Sequence, residues 1–161
     1  MKSGFIILLI LSITGRYKAQ TTLLIGSGET YTTISGAYAA CTNGAINYII
    51  EIRSTYTNTE AKPITLGANT ALSITIRPQA GVSAFTLGVV SGTETAIFSF
   101  TGGDNITIDG RAGGAGASIL TIENTQTAAS KYAIQFSGGS TANTIKYCTI
   151  KGSNSISTAN S

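Results

Sequence analysis

The stretch Ala96-Ile-Phe-Ser-Phe-Thr-Gly-Gly-Asp-Asn-Ile-Thr-Ile-Asp-Gly110 decides the fold, because much of it returns at Ala133-Ile-Gln-Phe-Ser-Gly-Gly-Ser-Thr-Ala-Asn-Thr-Ile145. Both copies hold an Ala-Ile strand, a Gly-Gly turn, an Asn and a second apolar–polar alternation ending near glycine; the later copy runs on to Gly152. Leu72-Ser-Ile-Thr-Ile-Arg77 is a weaker third copy of the second half. The offsets are irregular, about 32 to 39 residues, as in repeats with variable turns. Between the copies lie short bursts that alternate apolar and polar residues, so each buries one face. They are Thr21–Ile25, Tyr48–Ile52, Ile64–Leu66, Leu72–Ile76, Ala84–Leu87, Ala96–Phe100, Asn105–Ile108, Ile119–Ile122, Tyr132–Phe136 and Thr144–Ile150. Such spacing is compatible with a sandwich, a barrel or a solenoid. Loose internal repeats favour the solenoid: an all-β, right-handed parallel β-helix, in which each strand pairs with its counterpart about 4.8 Å away. Inward columns of Ile over Ile and Asn over Asn are expected.

One segment reads as helix. Thr32 or Thr33 is placed to N-cap it, Ile34, Ala37, Tyr38 and Cys41 form one apolar stripe, and Asn43-Gly44 is placed to close it with a left-handed cap. A solenoid end exposes apolar side chains and unpaired edges, and this stripe is suited to covering the first coil.

The composition narrows the function. The chain has 161 residues, enough for one domain, with 19 Gly, 11% charged residues and no His. Without His there is no Ser-His-Asp triad, no His general base and no His-ligated metal. Lys2, Arg16 and Lys18 account for the net charge of +3. Beyond them, Arg53, Lys62, Arg77, Arg111, Lys131, Lys146 and Lys151 balance Glu29, Glu51, Glu60, Glu94, Asp104, Asp109 and Glu123. Phosphate-backbone binding needs clustered cations, so nucleic acid is not an expected partner.

The first residues read as an address. Lys2 precedes the apolar run Phe5–Ile13, which is too short for the roughly 20 residues of a membrane span. A polar stretch then ends at Ala19-Gln20. Residues 1–19 are therefore expected to be a secretory signal peptide, cleaved after Ala19 although Tyr17 stands where a small residue is usual. The Ala19-Gln20 break resembles signal peptides of Bacteroidetes. Residues 20–45 form the expected first strand and cap, and residues 46–161 the coils, continuing beyond Ser161. Localisation is expected to be secreted or at the outer cell surface, with no membrane span after cleavage.

Two stretches resemble the pectin-lyase-like superfamily of right-handed parallel β-helices. Tyr31-Thr-Thr-Ile-Ser-Gly-Ala-Tyr-Ala-Ala40, followed by Tyr48–Thr57, Ile64–Leu66 and Leu72–Arg77, is similar to the family's capping helix, first strand and turn, with Ser54 in place of the usual Gly before Thr55-Tyr56. Asn105-Ile-Thr-Ile-Asp-Gly-Arg111 is similar to a coil step of polygalacturonases and their relatives. In those families the corresponding Asp-Gly is a turn element, and the catalytic carboxylates lie on deeper coils. The resemblance thus implies the fold and not an activity.

The residues themselves point to no reaction, and no catalytic, cofactor-binding or metal residue is assigned. Asp104 and Asp109 in an extended strand stand about 17 Å apart on opposite faces, too far for a glycosidase pair. Asp109 reads as a turn former and Arg111 as a solvated loop residue, though its fork suits a uronate carboxylate. Ala112-Gly-Gly-Ala-Gly116 lacks the Lys-Ser/Thr of a P-loop and any βαβ context. Asn105-Ile-Thr107 matches a glycosylation sequon and reads as chance. Thr-x-Thr pairs at Thr30/Thr32, Thr55/Thr57, Thr93/Thr95 and Thr125/Thr127 recur at offsets of 25, 38 and 32 residues, which do not make the flat column an ice-binding solenoid needs. Tyr48, Tyr56, Tyr132 and Tyr147 would stack on sugars wherever they face outward. Cys41 and Cys148 are expected to stand several coils apart, beyond the roughly 7 Å a disulfide allows, as free buried thiols.

The expected function is a structural or adhesive segment of an exported surface protein, with weak contact to polysaccharide or cell-surface glycan. The enzymatic alternative is the first coils of a polysaccharide lyase or glycoside hydrolase whose active site lies beyond residue 161. The last coil is expected to meet further coils of the same chain or to self-associate.

Overall fold

A computed structural model describes residues 18–128 and 130–152. The expected leader, apart from Lys18 and Ala19, and the residues from 153 onward lie outside the described residues. The described residues are all-β apart from one short helix and one 3-10 turn. Its strands are β1 (Ala19–Ile25), β2 (Ile46–Ile52), β3 (Ile64–Gly67), β4 (Ser73–Pro78), β5 (Phe85–Gly88), β6 (Ala96–Thr101), β7 (Ile106–Asp109), β8 (Leu120–Asn124), β9 (Tyr132–Ser137), β10 (Thr144–Lys146) and β11 (Cys148–Gly152).

They form three parallel sheets, none of them closed. Sheet A runs β1-β2-β4-β7-β10, sheet B β3-β6-β9 and sheet C β5-β8-β11. From β3 onward the chain visits B, A and C in strict rotation three times. Parallel neighbours need long connections: α1 lies between β1 and β2, β3 between β2 and β4, and from β3 onward each connection carries one strand of each of the other two sheets.

Register follows the apolar alternation. Leu23, Ile50, Ile76, Ile108 and Ile145 stack along sheet A. Leu66, Phe100 and Phe136 stack along B, and Leu87, Ile122 and Ile150 along C. The Ile-Thr-Ile of 74–76 pairs residue for residue with that of 106–108, as the sequence repeat predicts. β-Branched side chains suit this stacking because few χ1 states are lost.

The structure departs from expectation at three points. Asn does not stack on Asn: Asn47 lies against Ser73, and Asn143 reaches back to the Gly103 carbonyl and the Ile106 amide. Thr144–Ile150 is not one strand. Tyr147 sits at φ 54°, outside the extended region, and turns the chain from sheet A into sheet C. The helix α1 (Ile34–Ala39) is capped by Thr33, whose hydroxyl accepts from the Gly36 amide, but it ends on Ala40 in a right-handed conformation. Asn43-Gly44 therefore lies beyond the helix, with the Asn43 side chain accepting from the Ala45 amide instead.

Helix α1 packs against β1, β2 and β3. Ile34, Ala37, Tyr38 and Cys41 are buried in one apolar cluster with Ile25, Ile50 and Leu66. Glu60 fixes its start: the buried carboxylate accepts from the amides of Ile34 and Ser35, the Ser35 hydroxyl and the Tyr56 hydroxyl. Cys41 is a buried free thiol and Cys148 a half-buried one.

Candidate functional site

The corner where sheet A passes into sheet C carries a row of opposite charges. In the outward rank of sheet A, Glu51 lies beside Arg77, and Asp109 beside Lys146. The pairing of Ile76 with Ile108 sets Arg77 next to Asp109, so acid and base alternate along the sheet. Arg77 grips Glu51 Oε1 through Nε and Nη2 at 3.0 and 2.7 Å. Glu29 pairs with Arg53, and Lys151 lies 4.0 Å from Glu123 on sheet C.

Asp109 is the centre of this corner and is only 3% exposed. It accepts the Arg111 amide and both ends of the Arg111 guanidinium fork, and Lys146 lies 3.4 Å away. The hydrogen bonds from Arg111 hold its carboxyl below the usual range against the opposing effect of burial, and Lys146 adds to the effect. Arg111 is half-buried and stacks 3.8 Å over the Tyr147 ring. It is thus a tied residue rather than the solvated loop side chain expected. The glycine-rich link forms a 3-10 turn over Ala112–Gly114, where Gly114 admits the Arg77 guanidinium and Gly113 lies against Ala80.

The two aspartates are not brought together. Asp104 is exposed and accepts the amide and hydroxyl of Thr141, while Asp109 serves Arg111 and Lys146. Glu94 is 5% exposed. Burial acts to raise its carboxyl, but the amides of Ser91 and Val90 outweigh it and hold the group at about 2. All seven carboxylates of the chain therefore have a structural tie: Glu29 to Arg53, Glu51 to Arg77, Glu60 to the helix start, Glu94 to its loop, Asp104 to Thr141, Asp109 to Arg111 and Glu123 to Lys151. Among the described residues no three His, Cys, Asp or Glu side chains gather as metal ligands.

The outer faces carry columns of short polar side chains that sequence spacing did not show. Thr75, Thr107 and Thr144 stack on sheet A. Thr86, Thr121 and Thr149 stack on sheet C, while on sheet B Thr65 is followed by the buried Ser99 and then Gln135. The four Thr-x-Thr pairs singled out from sequence lie in the links between strands. Of the four tyrosines considered for stacking on sugars, Tyr48 is buried, Tyr56 half-buried, and Tyr132 and Tyr147 exposed.

The remaining feature is an uncovered end. Phe98, Phe100, Ile108 and Ile122 are wholly buried, yet their partners on the last strands are not. Phe136 is 54% and Ile150 52% exposed. With Tyr132, Ile134 and Ile145 they line a hollow of about 680 Å³. Phe136 is held from above only, stacked 4.5 Å from Phe100. No helix among the described residues is long and apolar enough to cross a membrane. Comparison with protein-family models, curated proteins and solved structures finds no match for this chain.

Proposed function

We propose that this chain is a non-catalytic structural or adhesive segment of an exported surface protein, built as successive turns of a right-handed parallel β-helix with α1 as its cap. The strict B–A–C rotation of parallel strands supports the β-helix reading, because a chain winding round a prism visits its faces in that order. The observation that carries the non-catalytic reading is the engagement of every carboxylate in a structural tie. An acid–base pair needs groups free to exchange protons with a substrate. The Thr columns of sheets A and C offer a neutral hydroxyl surface suited to weak contact with polysaccharide or cell-surface glycan. Export is carried by residues 1–19. The break after Ala19 falls at the first pair of β1, where Ala19 and Gln20 are exposed and Gln20 lies opposite Asn47. Cleavage there leaves the rest of the strand paired.

A second reading is favoured by the uncovered end. Apolar columns that reach β9, β10 and β11 without cover suit further coils of the same chain, and a lyase or hydrolase site would lie on those coils.

The experiment is incubation of the chain, purified without its leader, with a panel of neutral and acidic polysaccharides. Retention on at least one, with no new reducing ends and no unsaturated product absorbing in the ultraviolet, is the expected result. Product release by these residues alone would overturn the reading. Amino-terminal sequencing of the exported protein should begin at Gln20.

A further inference from the structure

We propose that Glu94 and Asn58 hold a hard, oxygen-seeking divalent cation of the calcium class, clamped between the link from β2 to β3 and the link from β5 to β6. Neither residue belongs to the Thr columns, so the site is separate from the surface assigned to glycan. Among the described residues, two buried side-chain oxygens receive no hydrogen bond from the protein: Glu94 Oε2 and Asn58 Oδ1. Both side chains are fixed on one short stretch of backbone. Asn58 Nδ2 donates to the Gly88 carbonyl at 3.4 Å, while Glu94 Oε1 accepts from the Val90 amide at 2.6 Å and from the Ser91 amide. Gly88 and Val90 are two residues apart, a span of about 7 Å at most.

A buried acceptor without a donor is costly, and more so when it is charged. Glu94 is 5% exposed. Burial acts to raise its carboxyl, but the Ser91 and Val90 amides hold it at about 2. The group therefore stays ionised and has no proton to give to Asn58. Whatever meets both oxygens must come from outside the pair.

The two ammoniums that reach these links are spent on carbonyls. Lys62 donates to the Glu60 carbonyl at 3.1 Å and Lys131 to the Thr93 carbonyl at 2.8 Å. Burial lowers the Lys62 ammonium, and the charges of Glu60 and Glu94 both oppose that. Around Lys62 there are thus two carboxylates and one ammonium, a net negative charge. The Glu60 carboxylate is satisfied by two amides and two hydroxyls, which leaves Glu94 Oε2 as the unspent anionic atom. A water molecule would answer the hydrogen bonds but not the charge, and a cation answers both. Carboxylate and amide oxygens, joined by backbone carbonyls and water, are the ligands that calcium takes in flexible geometry. Neither ligand is a thiolate or an imidazole, so softer metals are not favoured. A single carboxylate places the site in the weak class, with a dissociation constant of about 0.1–1 mM.

Calorimetric titration of calcium chloride into the full chain, freed of metal with a chelator, tests this. Saturable binding in that range is expected, with a higher urea midpoint at about 10 mM calcium as linkage requires. Magnesium, which demands near-ideal octahedral geometry, should bind at least about tenfold more weakly. Glu94→Gln keeps an oxygen for the two amides but removes the charge, and should weaken calcium binding at least about tenfold. Asn58→Asp adds a charged oxygen and should tighten it about tenfold. Glu123→Gln, on sheet C, should leave it unchanged. No binding heat and an unmoved midpoint would overturn the proposal and mean that water meets the two oxygens. Calcium binding undiminished in Glu94→Gln, or not tightened in Asn58→Asp, would place the ion elsewhere and overturn it equally. Should Glu94→Gln fail to fold by circular dichroism, Asn58→Asp decides alone.

Discussion

Gly110 leaves no room between its own backbone and that of Tyr147: a Cβ built on Gly110 meets the Tyr147 carbonyl oxygen at 1.9 Å. Tyr147 in turn lies in the left-handed region and carries Arg111 over its ring. The turn from sheet A to sheet C in one turn of chain thus presses directly on the same turn in the next. Gly110→Ala forces the two backbones apart. A loss of about 2–4 kcal/mol in urea unfolding is expected, in the range of severe backbone clashes. A loss below about 0.5 kcal/mol would mean that the two turns are not in contact.

Phe100 and Phe136 give a matched pair for measuring the core. They stack on one another, but Phe100 is wholly buried and Phe136 is half-exposed. Phe100→Ala should cost about 3–5 kcal/mol and Phe136→Ala about 1 kcal/mol in the monomer. Equal costs would show that the end at β9–β11 is covered in solution.

Glu60 joins a loop to the start of α1 through two amides and two hydroxyls. Glu60→Ala leaves those donors without a protein acceptor and should cost about 2–3 kcal/mol. Amide exchange in α1 should accelerate more than exchange in β4 or β7. Uniform acceleration would mean that the cap does not open separately from the sheets.

Acid should weaken the fold over a defined window. The Glu94 carboxyl is held at about 2 in the folded chain against an ordinary value of 4.5. A lowered folded value contributes stability that is complete above the unfolded value and disappears as pH falls toward the folded one. Asp104 and Asp109 are shifted in the same direction, through the Thr141 and Arg111 hydrogen bonds respectively. The urea midpoint should therefore fall between pH 4.5 and about 2, and Glu94→Gln should flatten part of that slope. A wild-type midpoint constant across the window would refute the depressed carboxyls.

The thiols should be inert in the native chain. Burial pushes Cys41 up to about 12 and Cys148 to about 11. Since the thiolate is the reactive form, an aromatic disulfide reagent at pH 8 should modify buried Cys41 only as fast as the chain unfolds, and half-buried Cys148 more slowly than an unfolded thiol. Rapid modification of Cys41 without denaturant would place it outside the core.

The strands were legible in the sequence wherever an apolar residue alternated with Thr or Ser, and the stacking of Ile74-Thr-Ile76 on Ile106-Thr-Ile108 followed from their identity. What stayed hidden depended on link length. Glu51 and Arg77 are 26 residues apart, and nothing local shows that one turn of chain brings them together. The Thr75–Thr107–Thr144 column was missed for the same reason: the offsets between its members are unequal, and only the register aligns them. The break at Tyr147 was invisible because a β-favouring residue occupies a left-handed position that Gly or Asn usually marks. The role of Arg111 turned on a residue 36 positions away, Tyr147, that sequence spacing does not pair with it.

The links themselves differ from face to face. Those from C to B keep seven residues each time, while those from A to C have six, ten and one. Register is held by the strands on either side of a link, so the length of an A-to-C excursion has no bearing on how neighbouring turns pair. That edge is where the chain can grow or shrink without refolding. A foreign peptide spliced between Gly116 and Ala117 should leave strand pairing intact, because nothing lies within 4 Å of where a Gly116 side chain would stand.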